Sequence, residues 1–406
     1  MDLESSEKRL TTREAAELLG VKPATVYAYV SRGLLGSRRD PAGRGSTFDA
    51  AEVAALARRN RREAAGAPGG ELAVRTALTL IESGPDRYWF RGVDAVELAG
   101  SRPYEEVAEW LWTGRPAPGA RFAAPQELLG AARRAVAALP EHSGPLDRLR
   151  VAVAAAAVAD PLRFDLSEPA VLGSARNLIP TLVEALPELG GARPGPGEPL
   201  ARRLWARLTP LPADPAAVAV LDLALGLLVD HDLAASTLAV RVAASGRAHP
   251  YAAVSAGLGA LEGPLHGAAG RLAHRMLVEV LERGGAAPVV AEHLRAGRRV
   301  PGLGHRLYRA EDPRATALFA RLAELDAASE ALAAAREVVA VTARQGRGLA
   351  ANVDLALAVL TVSCGMPAEA GETAFAVSRT AGWIAHALEE YQEAPLRMRP
   401  TGHYTG

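Results

Sequence analysis

The chain has 406 residues, equal numbers of acidic and basic residues, an apolar fraction of 49% and an aromatic fraction of 5%. This length allows about two or three domains with a large core, and zero net charge gives no overall field that would recruit nucleic acid. The single cysteine, Cys364, excludes an intrachain disulfide and a zinc site built from cysteines. Because the apolar residues are largely Ala, Leu and Val, and Ala and Leu favour helices most, we expect an all-α protein.

Neither an export signal nor a membrane span is expected. The first residues, Met1–Glu7, are acidic and contain no apolar stretch of the kind that directs export. The longest apolar run, Pro215–Val229, contains Asp222 and is too short to span a bilayer. We therefore expect a cytoplasmic protein without a membrane partner, in which this run forms a buried helix.

Residues 1–63 predict a small domain that begins with two helices joined by a tight turn. The first helix is expected to be capped by Thr11 or Thr12, with Glu14 in its first turn, where the helix dipole favours an acidic side chain. The second is expected to begin close to Pro23, because proline is well tolerated in the first turn of a helix. This is the sequence pattern of a helix-turn-helix.

A basic segment and a further helix follow. Residues 38–45 contain three arginines and two glycines, which suits a wing, and a third helix is expected from Asp49. The whole pattern resembles the winged helix-turn-helix of mercury-resistance regulators. Residues 31–62 carry eight arginines against three acidic residues, a local net charge of +5.

Two interpretations of this domain stay open. A surface of such charge can follow DNA phosphates, and the candidate DNA-binding residues are Thr25, Tyr27, Arg38 and Arg39. The side chains of the second helix provide no strong base code. The alternative is a solvated basic face on a small domain that binds nothing or binds protein, for example to mediate assembly.

A linker and a long helical region complete the chain. Residues 64–70 are rich in Ala, Gly and Pro, which is typical of a linker. Beyond them helical segments alternate with Pro/Gly loops, which are clearest at 114–119 and 190–199. A short strand pair is possible near Leu78–Ile81 and Tyr88–Phe90.

His266, His305 and Asp354 each lie in a short segment where Gly, Pro or Asn permits a tight turn. The segments read Gly-Pro-Leu-His-Gly, Pro-Gly-Leu-Gly-His-Arg and Asn-Val-Asp. Two histidines and a carboxylate can remove a proton from carbon and stabilise the resulting enolate. Separations of 39 and 49 residues fit no short metal-ligand motif, so we expect no metal.

These segments resemble the catalytic motifs of the citrate synthase family. The resemblance starts just after the linker, with Tyr88–Gly92, and follows the family's motifs in order to Tyr404–Gly406. It implies the citrate synthase fold, with a large helical domain at 71–265 and 368–406. A small helical lid domain would occupy 266–367.

The resemblance also implies the reaction, in which acetyl-CoA and oxaloacetate give citrate and CoA. Asp354 would abstract a methyl proton, His266 would bind the thioester oxygen, and His305 would polarise the keto carbonyl. Acetyl-CoA, or another short acyl-CoA, would be a substrate, and no cofactor is implied.

The two carboxylates of oxaloacetate require fixed donors, and the planar arginine fork suits them. The resemblance assigns this role to His231, Arg314, Arg379 and Arg399. In the family the arginine near the carboxyl terminus reaches the neighbouring subunit, which implies a homodimer or a higher even oligomer. Arg309 and Arg347 would bind the phosphates of CoA.

The sequence departs from the family around the catalytic residues. Ala234 stands where the family has Asn, Gly267–Gly270 replaces a Gly-Gly-Ala run, Ala351 replaces Pro, and Leu355–Ala358 replaces an aromatic–Tyr–Ser–Gly run. Arg399 is not followed by a second Arg at the family's position. These changes leave open which acyl group and which keto acid react.

Two alternatives to citrate synthesis therefore remain. One is a 2-methylcitrate synthase that uses propionyl-CoA. The other is a DNA-binding regulator in which the citrate synthase-like domain senses a metabolite. The intact His266, His305 and Asp354 weigh against a pure sensor, because a sensor needs no base.

Overall fold

The structure, a computed structural model, describes most of the chain in two compact units. The described residues are 9–19, 21, 23–31, 34–39, 45–54, 56–57, 74–82, 84–190, 194–195, 197–263, 266–346 and 348–399. One unit comprises Met1–Arg75 and Arg397–Gly406, and the other comprises Thr76–Leu396. The predicted linker, 64–70, lies outside the described residues.

The smaller unit combines short helices with a three-stranded antiparallel sheet. Its strands are β1 (Arg9–Thr11), β2 (Ser37–Arg39) and β3 (Ser46–Asp49). Its helices are α1 (Thr12–Leu19), α2 (Pro23–Ser31) and α3 (50–54 and 56–57). Strand β3 lies between β1 and β2. The predicted helix pair and third helix are confirmed. Strands β2 and β3 flank the predicted wing loop, of which residues 40–44 lie outside the described part of the chain.

A capping box starts the first helix of this unit. The Thr11 backbone N–H and hydroxyl each donate to the Glu14 carboxylate at 2.8 Å. In return, the Glu14 N–H donates to the Thr11 hydroxyl oxygen at 3.3 Å. Such reciprocal bonds satisfy the free N–H groups of a helix start, and they confirm Thr11 as the cap. Val26, Phe48 and Val53 are fully buried and form the centre of a small core.

The larger unit begins with a second antiparallel sheet. Its strands are β4 (Thr79–Glu82), β5 (Arg87–Phe90) and β6 (Val93–Asp94), with β5 in the middle. The strand pair predicted from the sequence is therefore confirmed. Tyr88 and Phe90 turn their rings from β5 into the core.

Helices form the rest of the larger unit. They are α4 (Ala95–Ser101), α5 (Tyr104–Thr113), α6 (Gln126–Ala137), α7 (Pro145–Ala159), α8 (Glu168–Ala185), α9 (Leu200–Leu208), α10 (Pro215–Leu228), α11 (Ala235–Ser245), α12 (Pro250–Leu261), α13 (Ala269–Glu282), α14 (Ala286–Arg295), α15 (Pro313–Leu322), α16 (Ser329–Arg344), α17 (Val353–Ser363) and α18 (Ala370–Tyr391), with a 3-10 turn at Asp326–Ala328. Apart from the short strands, the all-α prediction is confirmed. The predicted subdivision at residues 266 and 367 stays a prediction.

The apolar run at Pro215–Val229 forms α10, as predicted, and its last residues are buried in the core. No helix among the described residues has the length and apolar character needed to cross a bilayer.

Helix α18 is buried along most of its length and carries part of the site described below. Its Gly382 meets the chain that follows α10, where an added Cβ would lie 2.1 Å from the carbonyl oxygen of Val229. Only glycine permits this approach. The contact fixes α18 against Val229 and Asp230, one residue before His231.

Candidate active site

Six of the predicted site residues line one cavity of about 890 Å³ in the larger unit. They are His231, His266, His305, Arg314, Asp354 and Arg379. Sequence spacing alone does not place them together, since they come from two helix starts, one helix interior and three loop or turn segments.

Asp354 lies in the first turn of α17. Asn352 caps this helix, because its side-chain oxygen accepts from the Asp354 N–H at 3.0 Å. Burial raises the pKa of Asp354 to about 6, Arg314 opposes the rise, and Asp312 adds to it. A carboxylate whose pKa lies near the working pH is suited to act as a general base.

The segment before Asp354 pairs with the segment that carries His305. The Asn352 N–H donates to the Gly302 carbonyl at 2.9 Å, and its side chain donates to the Gly304 carbonyl at 2.9 Å. Gly302 has a φ of +77°, and a Cβ there would lie 2.7 Å from the Cβ of Leu355. This pairing, which requires glycine at 302, fixes His305 relative to Asp354.

His305 is a neutral hydrogen-bond donor. The backbone N–H groups of Leu307 and Tyr308 donate to its Nδ1 at 3.0 and 3.3 Å, so its proton is assigned to Nε2. Burial and the charge of Arg314 lower its pKa to about 4. Nε2 lies 3.2 Å from Nη2 of Arg314, so one substrate oxygen placed to the side of this pair, at hydrogen-bond distance from each nitrogen, could accept from both.

His266 is held by Ser236. Its Nε2 lies 2.8 Å from the Ser236 hydroxyl, which accepts from the Trp383 ring N–H at 3.3 Å. The bond from Trp383 occupies one acceptor position of Ser236 and leaves its proton free, so we assign this proton to Nε2 and the imidazole proton to Nδ1. Burial, then Arg379, lowers the pKa of His266, so the ring is a neutral donor. Sequence reasoning did not identify Ser236, because its bond to His266 joins residues 30 positions apart.

Arg314 is fixed by a carboxylate that the sequence analysis did not single out. Asp312 accepts from Nε and Nη2 of Arg314 at 2.9 and 2.8 Å. The same carboxylate accepts from the Val353 N–H at 3.0 Å and caps α15. Burial lowers the pKa of Arg314, but the charge of Asp312 and its hydrogen bonds outweigh this effect and raise that pKa above the usual value. Asp312 thus connects the cationic end of the cavity with the start of α17.

Arg379 is a buried cation that lacks an ion-pair partner within the described residues. Its Nε donates to the Leu228 carbonyl at 2.8 Å, and its guanidinium carbon lies 4.5 Å from the Phe375 ring centre. Burial lowers its pKa to about 10, while Asp230 acts in the opposite direction. A buried charge is costly unless paired, so this end of the cavity favours an anion.

His231 and Tyr308 complete the same end. The Tyr308 hydroxyl lies 2.8 Å from Nε2 of His231, and its ring stacks against His305 with centroids 4.7 Å apart. Burial, together with Arg314 and Arg379, holds the pKa of His231 well below its usual value. Tyr308 was missed from the sequence, because its contacts depend on how the loop folds back.

The other predicted site residues lie elsewhere. Arg399 is exposed and belongs to the unit that contains the amino terminus. Arg309 is exposed and does not line the cavity, and Arg347 lies outside the described residues. In the smaller unit, Tyr27, Arg38 and Arg39 are exposed, and Thr25 lies partly exposed on the same helix as Tyr27. The described residues contain no group of three or more His, Cys, Asp or Glu side chains that could hold a metal.

Comparisons with known proteins identify the families that the two units match. Residues 68–401 match the family model described as citrate synthase, C-terminal domain, and residues 9–61 match a helix-turn-helix domain. The chain therefore belongs to the citrate synthase family, and it carries a helix-turn-helix domain at its amino-terminal side.

Its relatives include enzymes named for two related reactions. A citrate synthase of Haloferax volcanii is 32% identical over 83% of this chain and 94% of its own length. A 2-methylcitrate synthase of Corynebacterium glutamicum is 27% identical over 83% of this chain and 93% of its own length. Among solved structures, citrate synthase from Pyrobaculum aerophilum matches with a TM-score of 0.70 and 25% identity, over 91% of this chain and 95% of that one.

Proposed function

We propose that the chain is a citrate synthase that condenses acetyl-CoA with oxaloacetate to give citrate and CoA. The observation that carries this proposal is one cavity with a carboxylate base, two neutral histidine donors and two buried arginines. Asp354, His266 and His305 supply the acid–base groups, and Arg314 and Arg379 supply positive charge.

The cavity residues account for each step of the condensation. The Asp354 carboxylate removes a proton from the acetyl methyl group while Nδ1–H of His266 donates to the thioester oxygen, where negative charge develops. The enolate carbon attacks the keto carbon, and Nε2–H of His305 protonates the new alkoxide. Water then cleaves the citryl thioester to citrate and CoA. No cofactor is needed, because the acyl group arrives as a thioester.

Substrate charge explains the remaining groups. The keto acid is bound by Arg314, Arg379 and His231. All three are buried in the cavity wall, where the two arginines supply positive charge for its carboxylates. We assign Arg399 to the cavity of a neighbouring subunit, which requires a homodimer or a higher even oligomer. Arg309 and Arg347 contact the phosphates of CoA. Both substrates are central metabolites, which fits a cytoplasmic location.

The test is thiol release from a panel of acyl-CoAs in the presence of oxaloacetate. We expect turnover of acetyl-CoA by the unmodified chain. Asp354→Ala should abolish turnover while oxaloacetate still binds, because the arginines are retained. An unmodified chain that releases no CoA from any acyl-CoA would refute the proposal.

One observation favours the second candidate, a 2-methylcitrate synthase. At Gly270 a Cβ would lie 3.7 Å from Oδ1 of Asp354, so glycine leaves space beside the base for a methyl group on the acyl chain. A kcat/KM at least about tenfold higher for propionyl-CoA than for acetyl-CoA, a difference of about 1.4 kcal/mol, would favour this activity.

We further propose that the helix-turn-helix domain binds DNA. Exposed Arg38 and Arg39 on β2 would contact phosphates, and Thr25 and Tyr27, which lie on different faces of α2, would make separate contacts with the DNA. Salt-dependent retardation of DNA fragments by the full chain tests this function. Turnover together with DNA binding would indicate a bifunctional protein, whereas DNA binding without turnover would favour a regulator.

A further inference from the structure

Glu372 is a buried carboxylate in the cavity wall to which the proposed reaction gives no role. It lies on α18 and is 6% exposed. Its Oε1 is buried and has no hydrogen-bond partner among the described residues. The same Oε1 forms a long ion pair with Nε of Arg271 on α13, at 3.5 Å, and this contact is not a hydrogen bond. An unsatisfied buried oxygen is costly, so a donor brought by a ligand would stabilise it.

Glu372 and Asp354 line the same cavity. Arg271 directly follows Gly270, the residue that borders Oδ1 of Asp354. The pKa of Glu372 is raised, mainly by burial, and the negative charge of Asp354 makes a smaller contribution in the same direction. The carboxylate therefore belongs to the end of the cavity that receives the thioester.

The residues of α18 indicate which part of the thioester it meets. Glu372, Phe375 and Arg379 share one face of the helix, because side chains three and four residues apart are neighbours. The Phe375 ring lies edge-on to His266, with centroids 6.2 Å apart. The helix thus presents, in order, the proposed keto-acid site, the proposed thioester-oxygen site and Glu372. At a rise of 1.5 Å per residue, Glu372 and Arg379 are roughly 10 Å apart along the helix axis.

The two substrates, when placed for reaction, span a distance similar to the one that separates Arg379 from Glu372. The reacting carbons approach to roughly 3 Å, and covalent bonds of about 1.5 Å then lead through the acetyl carbon, the sulfur and two methylenes to an amide nitrogen. The distance from the keto-acid carboxylate to this nitrogen is therefore roughly 10 Å. The acetyl group, its carbonyl and the sulfur offer no donor, so this amide N–H is the first donor on the chain. A donor on a longer acyl group would lie nearer to Arg379.

We propose that Glu372 accepts a hydrogen bond from the amide N–H nearest the sulfur in the pantetheine arm of the acyl-CoA. This bond would hold the acetyl methyl group against Asp354, while Arg271 keeps the carboxylate ionised and oriented. The inference rests on the proposed function, because it takes an acyl-CoA as the substrate.

The experiment compares two thioesters in the full-length protein. One is acetyl-CoA, and the other is an acetyl-CoA analogue with an ester oxygen in place of that amide N–H. Glu372→Leu should lower kcat/KM for acetyl-CoA about 10- to 100-fold, because a hydrogen bond to a charged group is lost. For the ester analogue, Glu372→Leu and the unmodified protein should have equal kcat/KM. Glu372→Gln should lie in between for acetyl-CoA, since its amide oxygen still accepts.

Glu369→Gln is the matched control. Glu369 pairs with Arg275 at 3.6 Å between the same two helices, but it does not line the cavity. We expect this variant to leave kcat/KM for both thioesters unchanged.

Two outcomes would overturn the inference. If Glu372→Leu lowers kcat/KM equally for both thioesters, Glu372 only joins the two helices. The same conclusion follows if the control loses as much activity as Glu372→Leu. Failure of the proposed function is distinct, because the unmodified protein would then turn over neither thioester.

Discussion

In the proposed reaction, the ionisation of Asp354 controls the first chemical step. This side chain removes a proton only as the carboxylate, and its pKa is raised to about 6. We therefore expect kcat/KM for acetyl-CoA to rise with pH up to about 6 and then become constant. His305, with a pKa of about 4, stays neutral over this range. Initial rates between pH 5 and 8 check the prediction, and a profile already constant at pH 5 would contradict it.

The bond from Ser236 to Nε2 of His266 sets the tautomer of that histidine, so the loss of the Ser236 hydroxyl should lower activity. Ser236→Ala leaves Nε2 of His266 and the Trp383 N–H without their shared partner. We expect kcat to fall about 10- to 100-fold, with little change in the affinity for oxaloacetate. Steady-state rates and oxaloacetate binding by calorimetry would separate the two effects.

Thr237→Val is the control for this change. The neighbouring hydroxyl of Thr237 is buried without a hydrogen-bond partner among the described residues, so its removal breaks no such bond. We expect its kcat to remain that of the unmodified protein. An equal loss in both variants would show that the helix, rather than the tautomer, was disturbed.

At the scale of the elements, the paired segments around Gly302 and Asn352 place the His305 loop beside α17. Gly302→Ala places an alanine at a φ of +77°, which side chains disfavour, and adds a Cβ 2.7 Å from that of Leu355. We expect a loss of about 2–4 kcal/mol in the free energy of unfolding, from backbone strain and overpacking together, and a lower kcat. Denaturant unfolding followed by circular dichroism measures the stability.

Gly297→Ala separates the two causes. Gly297 has a φ of +66°, but nothing lies within 4 Å of its Cβ position. We expect this variant to lose only about 1–2 kcal/mol through backbone strain and to keep its kcat. If both variants lose the same stability and activity, the close contact with Leu355 is not what fixes the loop.

The helices themselves follow from the sequence for a simple reason. Their caps, Asp312 and Asn352 among them, and their apolar stripes are local features that a single segment contains. The bond from the Val353 N–H to Asp312 is different, since it joins residues 41 positions apart. Such a contact depends on how α15 and α17 pack, and no local pattern predicts it.

At the scale of the whole molecule, the chain joins a helix-turn-helix unit to a citrate synthase unit. We predict that Arg38→Ala combined with Arg39→Ala lowers DNA affinity and reduces its salt dependence, because phosphate contacts are lost. Citrate formation should not change. Fluorescence anisotropy at several salt concentrations, beside a rate assay, tests both statements.

Arg115→Ala is the control for this prediction, since it removes an exposed positive charge from the larger unit. We expect its DNA affinity to equal that of the unmodified chain. If it weakens binding as much as the change at Arg38 and Arg39, the wing has no special role.

The sequence predicted the helical class, the two kinds of domain and the residues that meet in the cavity. The proposed catalytic positions were accessible because the ordered motifs resemble a known family. The residues that orient them were not, because Ser236, Tyr308 and Asp312 act through contacts between distant segments. The roles of Arg309, Arg347 and Arg399 stay predictions.

The opposing effects of Arg314 and burial on Asp354 have a kinetic consequence. Arg314 lowers the pKa of Asp354 in the empty cavity. A dianion bound at Arg314 would cancel part of that effect and make Asp354 a stronger base. The keto acid would thereby activate the group that attacks the other substrate, which favours an ordered reaction in which acetyl-CoA is deprotonated only after its acceptor has arrived.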